Sequence, residues 1–388
     1  MAINRRGLLL ALSALLRHAF CAMELVGDEA KWDAIFASRE AELVASGFQW
    51  PEGPRWTKSK GLLFSDTISG KMYRWDEATK SAVVFLDDAG GCPKANLVEG
   101  YECAAGQAEP GPNGLSREYP YVKKRKPSHN IAVCQHGARR LAQMDLNSRE
   151  MTELVAYVDG KRLNGPNDVA RVGAHDFIFT DPYYALLEQD RFYDHVYTEE
   201  KSELGFAGVW RHDAFENVTR ALVDDLERPN GLALIPRGDQ LVVSDCCQGA
   251  TPTCPAGEAR WNVYDLSRDL WRATFVRRIE HADDVKEGCA DGFVYHAWFH
   301  VLLASCPGGL CVVGLDEGAV IAKLRFGGSV ANVELGGGYA WITGNGGLYR
   351  IKLNDEKPAD VVKPFAESLQ GRAETGAHLR PPPPSAEL

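Results

Sequence analysis

The chain has 388 residues, and its 43 Lys and Arg against 53 Asp and Glu give a net charge of −10. This acidic balance argues against nucleic acid as a partner, because phosphate binding needs clustered Lys and Arg, and the one basic run, 123–126, is short. No uncharged apolar run reaches about 18 residues, so no membrane span is expected. With 38 Gly and 20 Pro, the composition favours a turn-rich, all-β chain over a helical bundle.

The first 21 residues have the pattern of a signal peptide. Two arginines precede ten largely apolar residues, 7–16, and Ala19-Phe20-Cys21 offers small residues at the spacing that signal peptidase prefers. We therefore expect entry into the secretory pathway and secretion. The alternative is an amphipathic or disordered N-terminus in a cytoplasmic protein, because a charged pair interrupts the apolar run at 17–18.

Residues 22–46 are predicted to form an N-terminal segment outside the main domain. The apolar residues between Asp28 and Ala45 fit a helix that packs on the outside of the domain. They are Trp32, Ile35, Phe36, Leu43 and Val44. At the other end, residues 356–388 are predicted to be an extension with a disordered tail, because Arg380 is followed by four prolines.

The region between these ends, 47–355, contains a degenerate sixfold repeat. Each copy has a short β-rich run, a polar turn and often a second run ending in Tyr or Trp plus Arg. The first runs begin at residues 62, 131, 177, 241, 301 and 340. Propeller blades of four strands take about 40–45 residues in compact families, and the intervals lack the amphipathic helices of a parallel α/β sheet. The sequence predicts a six-bladed β-propeller in one all-β domain, although length alone suggests two or three domains.

A second pattern has the same phase as the repeat. An oxygen-bearing residue stands in a predicted turn before each run, beside Gly in four of six copies. These residues are Glu52, Asn113, Asn167, Asn230, Asp291 and Asn332. Residues at one phase of every blade meet around the propeller axis, so we expect these six to line one channel. The alternative is turn chemistry alone, since Asn, Asp and Gly are common turn formers; Glu52 does not fit that alternative.

Carboxylate and amide oxygens are hard ligands that suit Ca²⁺ or Mg²⁺ better than softer metals. No His stands at the repeated phase, which weighs against a dedicated zinc site. A divalent ion beside Glu52 and Asp291 can polarise a carbonyl or phosphoryl oxygen and lower the pKa of bound water, which predicts metal-assisted hydrolysis. A serine nucleophile is disfavoured because no Gly-x-Ser-x-Gly element occurs, and the recurring Ser244-Asp245 pair is expected to be structural.

Several segments together resemble the gluconolactonase branch of the family that includes senescence marker protein (regucalcin), whose members are calcium-dependent six-bladed propeller lactonases. The resemblance extends from about residue 44 to residue 353 and depends on the number and order of the segments. They are EGPRW (52–56), GPNGL (111–115), CQHGARR (134–140), RLNGPNDV (162–169), FTDP (179–182) and ELGFAGV (203–209). The resemblance implies hydrolysis of a sugar lactone such as glucono-1,5-lactone. It also implies one divalent ion in the channel, first of all Ca²⁺, with Mg²⁺, Mn²⁺ and Zn²⁺ as alternatives.

Carried over residue by residue, the resemblance implies that four side chains bind the ion: Glu52, Asn167, Asn230 and Asp291. Asp291 is also the implied catalytic residue, which helps to activate the attacking water while the ion polarises the lactone carbonyl. Asn164 is the alternative to Asn167. We prefer Asn167 because it stands ten residues before its run, as Glu52 does.

The same resemblance implies substrate contacts by Arg162, Asn113 and His136, although a lone His is often only structural. The chain departs from the family pattern in a cysteine-containing loop, 246–254, and in an insertion, 185–202, near the expected channel mouth. These loops leave the substrate open. The alternatives are aryl esters or organophosphorus esters at the same metal site, or a secreted propeller that binds a sugar or a protein without turnover.

Overall fold

The computed structural model describes residues 23–92, 107–118, 129–188, 199–235, 239–246 and 255–354. The predicted signal peptide (1–21) and C-terminal extension (356–388) lie outside the described residues. The described chain forms six antiparallel sheets of four or five strands. This is a six-bladed β-propeller, as the sequence predicts. Among the described residues, no helix has the length and apolar character needed to cross a bilayer.

Each blade is a meander in which consecutive strands pair from the channel outward. Blade 1 contains Pro51–Thr57, Gly61–Asp66, Lys71–Asp76 and Ser81–Leu86, and blade 2 contains Pro112–Leu115, Asn130–Gln135, Arg140–Asp145 and Met151–Val155. Blade 3 contains Val169–Arg171, Asp176–Asp181, Gly208–Asp213 and Val218–Val223, and blade 4 contains Pro229–Ile235, Gln240–Asp245, Glu258–Leu266 and Ala273–Ala282. Blade 5 contains Phe293–His296, Val301–Cys306, Gly309–Gly314 and Ala319–Arg325, and blade 6 contains Val330–Gly336, Tyr339–Gly344 and Gly347–Lys352. A small hairpin, Tyr157–Val158 with Lys161–Arg162, lies between blades 2 and 3.

The six apolar runs of the repeat are the second strands of the blades. Val301–Cys306, for example, is buried at every position. Blades pack face to face, so both faces of a second strand are covered by apolar neighbours. This explains why these strands are continuous apolar runs in the sequence and do not alternate between apolar and polar residues.

The N-terminal segment supplies the outer strands of two blades. Glu24–Gly27 pairs with Ala319–Arg325 at the edge of blade 5, and Glu42–Ser46 pairs with Gly347–Lys352 to complete blade 6. Hydrogen bonds between strands therefore join the start of the chain to its last blades. The predicted domain boundary at residue 47 does not hold, because the propeller includes strands from Glu24 onward.

A short helix, Glu29–Ile35, connects these two strands. Trp32 on this helix is fully buried and packs in the core between blades 5 and 6, where its ring centroid lies 4.3 Å from that of Phe36. The predicted helix over 28–45 is therefore wrong beyond Ile35. Leu43 and Val44 lie in the outer strand of blade 6, because that open sheet edge offers them backbone partners.

Candidate active site

The six residues predicted to line the channel, which we call the ring residues, are all buried. They lie where the innermost strands of the blades begin. Their exposed fractions are 3% for Glu52, 5% for Asn113, 4% for Asn167, 5% for Asn230, 9% for Asp291 and 8% for Asn332. Four of them lie at shifts in strand register, in blades 1, 2, 4 and 6. The predicted turns in these four blades are therefore β-bulges inside the innermost strands. A bulge re-aims a side chain, which brings these residues toward the channel.

Glycine follows four of the ring residues because neighbouring innermost strands touch there. A Cβ atom on Gly53 would lie 2.3 Å from the Asn113 carbonyl oxygen, and one on Gly231 would lie 2.5 Å from the Asp291 carbonyl oxygen. Both distances are far below van der Waals contact. The glycines therefore permit the close approach of one blade to the next, which packs the ring tightly.

Hydroxyl groups on the second strands hydrogen-bond to the backbone carbonyls of ring residues. Ser65 donates to the Asn113 carbonyl at 2.6 Å, and Ser244 donates to the Asp291 carbonyl at 2.6 Å. Thr180 makes the same bond to Asn230, also at 2.6 Å. In each case the hydroxyl belongs to the preceding blade, so these bonds connect adjacent blades at the ring.

The aspartate after each of these hydroxyls holds the loop before the ring. Asp245 accepts the backbone N–H of Arg228 at 2.6 Å, and Asp181 accepts those of Asn164 and Gly165 at 2.9 and 2.7 Å. Burial raises the pKa of both carboxyl groups. The structural role predicted for the Ser-Asp pair of blade 4 is confirmed.

Two of the ring residues, Glu52 and Asp291, are carboxylates close enough for the charge of one to act on the other. Glu52 Oε2 accepts the Gly53 N–H at 2.8 Å and the Asn332 amide at 3.1 Å. Burial raises the pKa of both Glu52 and Asp291, and the neighbouring Glu52 charge raises that of Asp291 further. No Lys or Arg pairs with either carboxylate in the described parts of the chain. Two buried, unbalanced carboxylates fit a divalent cation, which would favour their ionised forms.

The two asparagines near residue 165 differ in what their side chains do. The Asn164 amide donates to the carbonyls of Asp181 at 3.1 Å and Phe206 at 2.9 Å, and it accepts from Ser202 at 2.6 Å. Within the described residues, the Asn167 amide has no such partner. Asn164 is therefore fully occupied in the fold, whereas Asn167 keeps its oxygen for a ligand.

Tyr184 lies beside Asn230, a position that the repeat pattern does not predict. It begins a 3₁₀ turn, Tyr184–Leu186, and its hydroxyl donates to the Cys246 carbonyl at 2.6 Å. The Asn230 side chain lies close to this hydroxyl. Since the tyrosine proton goes to Cys246, only the N–H of Asn230 could bond to the tyrosine oxygen, so Tyr184 does not use the Asn230 amide oxygen. Burial, followed by the Asp291 charge, raises the pKa of Tyr184.

Glu109 is a third carboxylate of the channel that the repeat does not predict. Its charge raises the pKa of both Glu52 and Asp291. Its Oε2 lies 3.2 Å from Nδ1 of His136, whose Nε2 lies 3.5 Å from the Asn113 amide nitrogen. His136 is fully buried, so it reaches the channel through Glu109 and Asn113 and not by direct contact.

Arg162 lies in the small hairpin, at the side of the segment that contains His136. Its guanidinium donates to the Ala138 carbonyl at 2.8 Å, and its backbone N–H donates to Glu203 at 3.0 Å. The neighbouring Arg139 donates to the Asn164 carbonyl at 3.1 Å. These contacts place two guanidinium groups beside blade 2, around the loop that precedes Asn167.

Two disulfides join described residues to each other, Cys246–Cys289 and Cys306–Cys311, and the described residue Cys92 is also disulfide-bonded. Cys134, in the second strand of blade 2, is a buried free thiol. The first disulfide adjoins the ring, since its two sulfur atoms and a carboxylate oxygen of Asp291 all lie within 4.8 Å of one another.

Comparisons with known proteins identify relatives of this chain. Residues 50–343 match the SMP-30/gluconolactonase/LRE-like region. A gluconolactonase of Zymomonas mobilis is 32% identical over 287 residues, covering 73% of this chain and 72% of that protein.

Two solved structures share the fold. A gluconolactonase from Xanthomonas campestris superposes with a TM-score of 0.65 at 22% identity, covering 86% of this chain and 96% of that one. Regucalcin from Agrobacterium tumefaciens, a calcium-binding protein, gives 0.52 at 13% identity, covering 84% and 95%. At such identities the likeness supports the fold alone.

Proposed function

This chain belongs to the SMP-30/gluconolactonase/LRE-like family, and on that premise we propose that it hydrolyses a sugar lactone in the propeller channel. The observation that carries the proposal is the pair of buried carboxylates, Glu52 and Asp291, at the ring. The relative from Zymomonas mobilis is a gluconolactonase, which makes glucono-1,5-lactone the first substrate to test.

One divalent cation, with Ca²⁺ as the first candidate, would be held by Glu52, Asn167, Asn230 and Asp291. The donor set supports this assignment, because it consists of two carboxylates and two amide oxygens that the fold leaves available. When bound, such an ion polarises the ester carbonyl and lowers the pKa of nearby water.

Asp291 is the proposed base. Its carboxylate accepts a proton from the water that attacks the carbonyl carbon, and it gives this proton to the ring oxygen as the lactone C–O bond breaks. The product is the open-chain hydroxy acid. Because a bound cation would favour the ionised form of Asp291, the basicity of this carboxylate is limited, and the lowered pKa of the water would matter more.

The remaining channel groups would bind the hydroxyl groups of the sugar. Glu109 is the proposed acceptor, because its charge acts on both ring carboxylates, and its Oε2 lies 3.2 Å from His136 Nδ1. Asn113, Tyr184 and Arg162 are the proposed further contacts, and His136 acts as a positioning residue behind Glu109.

A pH-indicator assay tests the proposal. Lactones, aryl esters and phosphotriesters are offered to the protein with added Ca²⁺ and with EDTA. We expect hydrolysis of glucono-1,5-lactone with Ca²⁺ and its loss with EDTA. Faster turnover of an aryl ester or a phosphotriester would assign the site to that class. No turnover of any of them above background would contradict the enzymatic function and leave a binding propeller.

Asp291→Asn removes the proposed base and one ionic ligand. We expect a loss of at least about a hundredfold in turnover with the fold retained by circular dichroism. Asp316→Asn is the matched control, because the Asp316 side chain is 72% exposed and lies in the turn between the third and fourth strands of blade 5, not at an innermost strand. Full activity of Asp291→Asn would refute the role of Asp291.

A further inference from the structure

We infer that the Cys246–Cys289 disulfide is a positioning element of the ion site, which holds Asp291 and Asn230 in the arrangement that binds the cation. The inference rests on the proposed function, because it takes these two residues as ligands. It concerns a covalent link between blades 4 and 5 that the repeat pattern does not contain.

The disulfide connects two segments that lead directly to the ring. Cys246 follows the second strand of blade 4, and Cys289 stands two residues before Asp291. Their Cα atoms are 5.2 Å apart although the residues are 43 positions apart in the chain. Cys246 is 3% exposed and Cys289 is 2% exposed, so the link is buried beside the Asp291 carboxylate, within 4.8 Å of one of its oxygens.

Backbone hydrogen bonds extend this link to Asn230. The Cys246 N–H donates to the Arg228 carbonyl at 3.0 Å, two residues before Asn230. The Cys246 carbonyl accepts the hydroxyl of Tyr184 at 2.6 Å, and this hydroxyl lies close to the Asn230 side chain. One cysteine thus contacts the supports of Asn230, and its bonded partner fixes the approach to Asp291.

The oxidised state of the sulfurs also matters for the choice of ion. Two thiolates this close to Asp291 would offer soft ligands that attract Zn²⁺. In a disulfide neither sulfur is a thiolate. The link therefore keeps the donor set oxygen-only, which suits Ca²⁺.

The second disulfide provides a matched control. Cys306–Cys311 spans five residues within one hairpin of blade 5, whose strands are already paired by backbone hydrogen bonds. Both cysteines are fully buried, as those of the first link nearly are. Removing it should cost stability without moving any proposed ligand.

The test is calorimetric titration of Ca²⁺ into EDTA-stripped protein, for the wild type, C246S/C289S and C306S/C311S. We expect the first double variant to bind Ca²⁺ at least tenfold more weakly and the control to bind as the wild type does. A merely structural link would lower the thermal midpoint of the ion-free protein and leave the Ca²⁺ affinity unchanged. A second pair, C246A/C289V, fills the space of the sulfurs without hydroxyl groups and should show the same loss.

Ca²⁺ affinities within twofold of wild type in both replacement pairs would overturn the inference and leave the ion site intact. A wild type that binds no Ca²⁺ would instead overturn the ion site and the inference with it. The two failures are therefore distinguishable in one experiment.

Discussion

Single residues in the channel divide into those that hold the fold and those left for a ligand, and Asn164 and Asn167 show the division most clearly. We expect Asn164→Ala to lower the free energy of unfolding by about 1–3 kcal/mol, because it leaves buried partners unsatisfied. Asn167→Ala should leave the stability of EDTA-stripped protein unchanged and weaken Ca²⁺ binding. Chemical denaturation and calorimetric titration of the two variants measure both quantities.

Each of these asparagine variants serves as the control for the other. If Asn164→Ala weakened Ca²⁺ binding more than Asn167→Ala did, with its stability unchanged, the ligand would be Asn164.

The raised pKa values of the ring carboxyl groups predict how ion-dependent stability changes with pH. In ion-free protein, burial raises the pKa of Glu52 to about 7, above its value in the unfolded chain. The folded state then holds a proton that the unfolded state releases, so stability falls as pH rises through about 7. A bound cation favours the ionised form and offsets this loss. We expect the thermal midpoint difference between Ca²⁺ and EDTA samples to be larger at pH 8 than at pH 6.

Scanning fluorimetry at both pH values measures this difference. Glu52→Gln has no carboxyl group at residue 52. In this variant the midpoint difference between Ca²⁺ and EDTA samples should increase less from pH 6 to pH 8. A midpoint difference that does not depend on pH in the wild type would contradict the coupling of ion binding to proton release.

The sequence predicted the ring because its members recur at one phase, but it could not predict Glu109 or Tyr184. Both lie in irregular segments outside the repeat. Their positions depend on tertiary contacts, such as the bond from Tyr184 to Cys246 and the contact of Glu109 with His136. The resemblance also implies that His136 contacts the substrate; its side chain is fully buried, and we therefore propose an indirect role through Glu109 and Asn113.

At the scale of strands, the closest approach between blades occurs at the glycines of the ring. We expect Gly231→Ala to destabilise the protein by several kcal/mol, because its Cβ would lie 2.5 Å from the Asp291 carbonyl oxygen and the overlap requires backbone movement. The same movement should weaken Ca²⁺ binding. Thermal denaturation and calorimetric titration measure the two effects.

Gly205→Ala is the control for this change. Gly205 has a φ of +81°, and no atom lies within 4 Å of the added Cβ. Gly205→Ala should therefore lower the free energy of unfolding by only about 1–2 kcal/mol, the cost of a left-handed backbone for alanine. Equal stability losses in the two variants would show that the contact between blades adds nothing.

The N-terminal segment shows where local pattern fails to determine an element. Its apolar spacing suits a helix, and the helix does form at Glu29–Ile35. Leu43 and Val44 join a strand because the edge of blade 6 is open, and this pairing involves residues about 300 positions away. Strand preference depends on such partners more than on the residues themselves.

For the whole molecule, the fold was predictable because the same local pattern occurs six times, and a propeller is built by repeating one sheet around an axis. Closure of the propeller was not predictable, because it depends on pairing between strands from the two ends of the chain. The propeller also brings distant residues to one site, because blades 1, 3, 4 and 5 supply the proposed ligands of one ion. The two ionisable ligands lie more than 200 positions apart in the sequence.

The most direct test of this account is a Ca²⁺ titration of EDTA-stripped protein while glucono-1,5-lactone hydrolysis is followed. We expect the stripped protein to be inactive and the rate to rise in proportion to the occupancy of one site per chain, with Asp291→Asn inactive throughout. Full lactone hydrolysis by stripped protein, or a rate unrelated to Ca²⁺ occupancy, would contradict an ion-dependent lactonase.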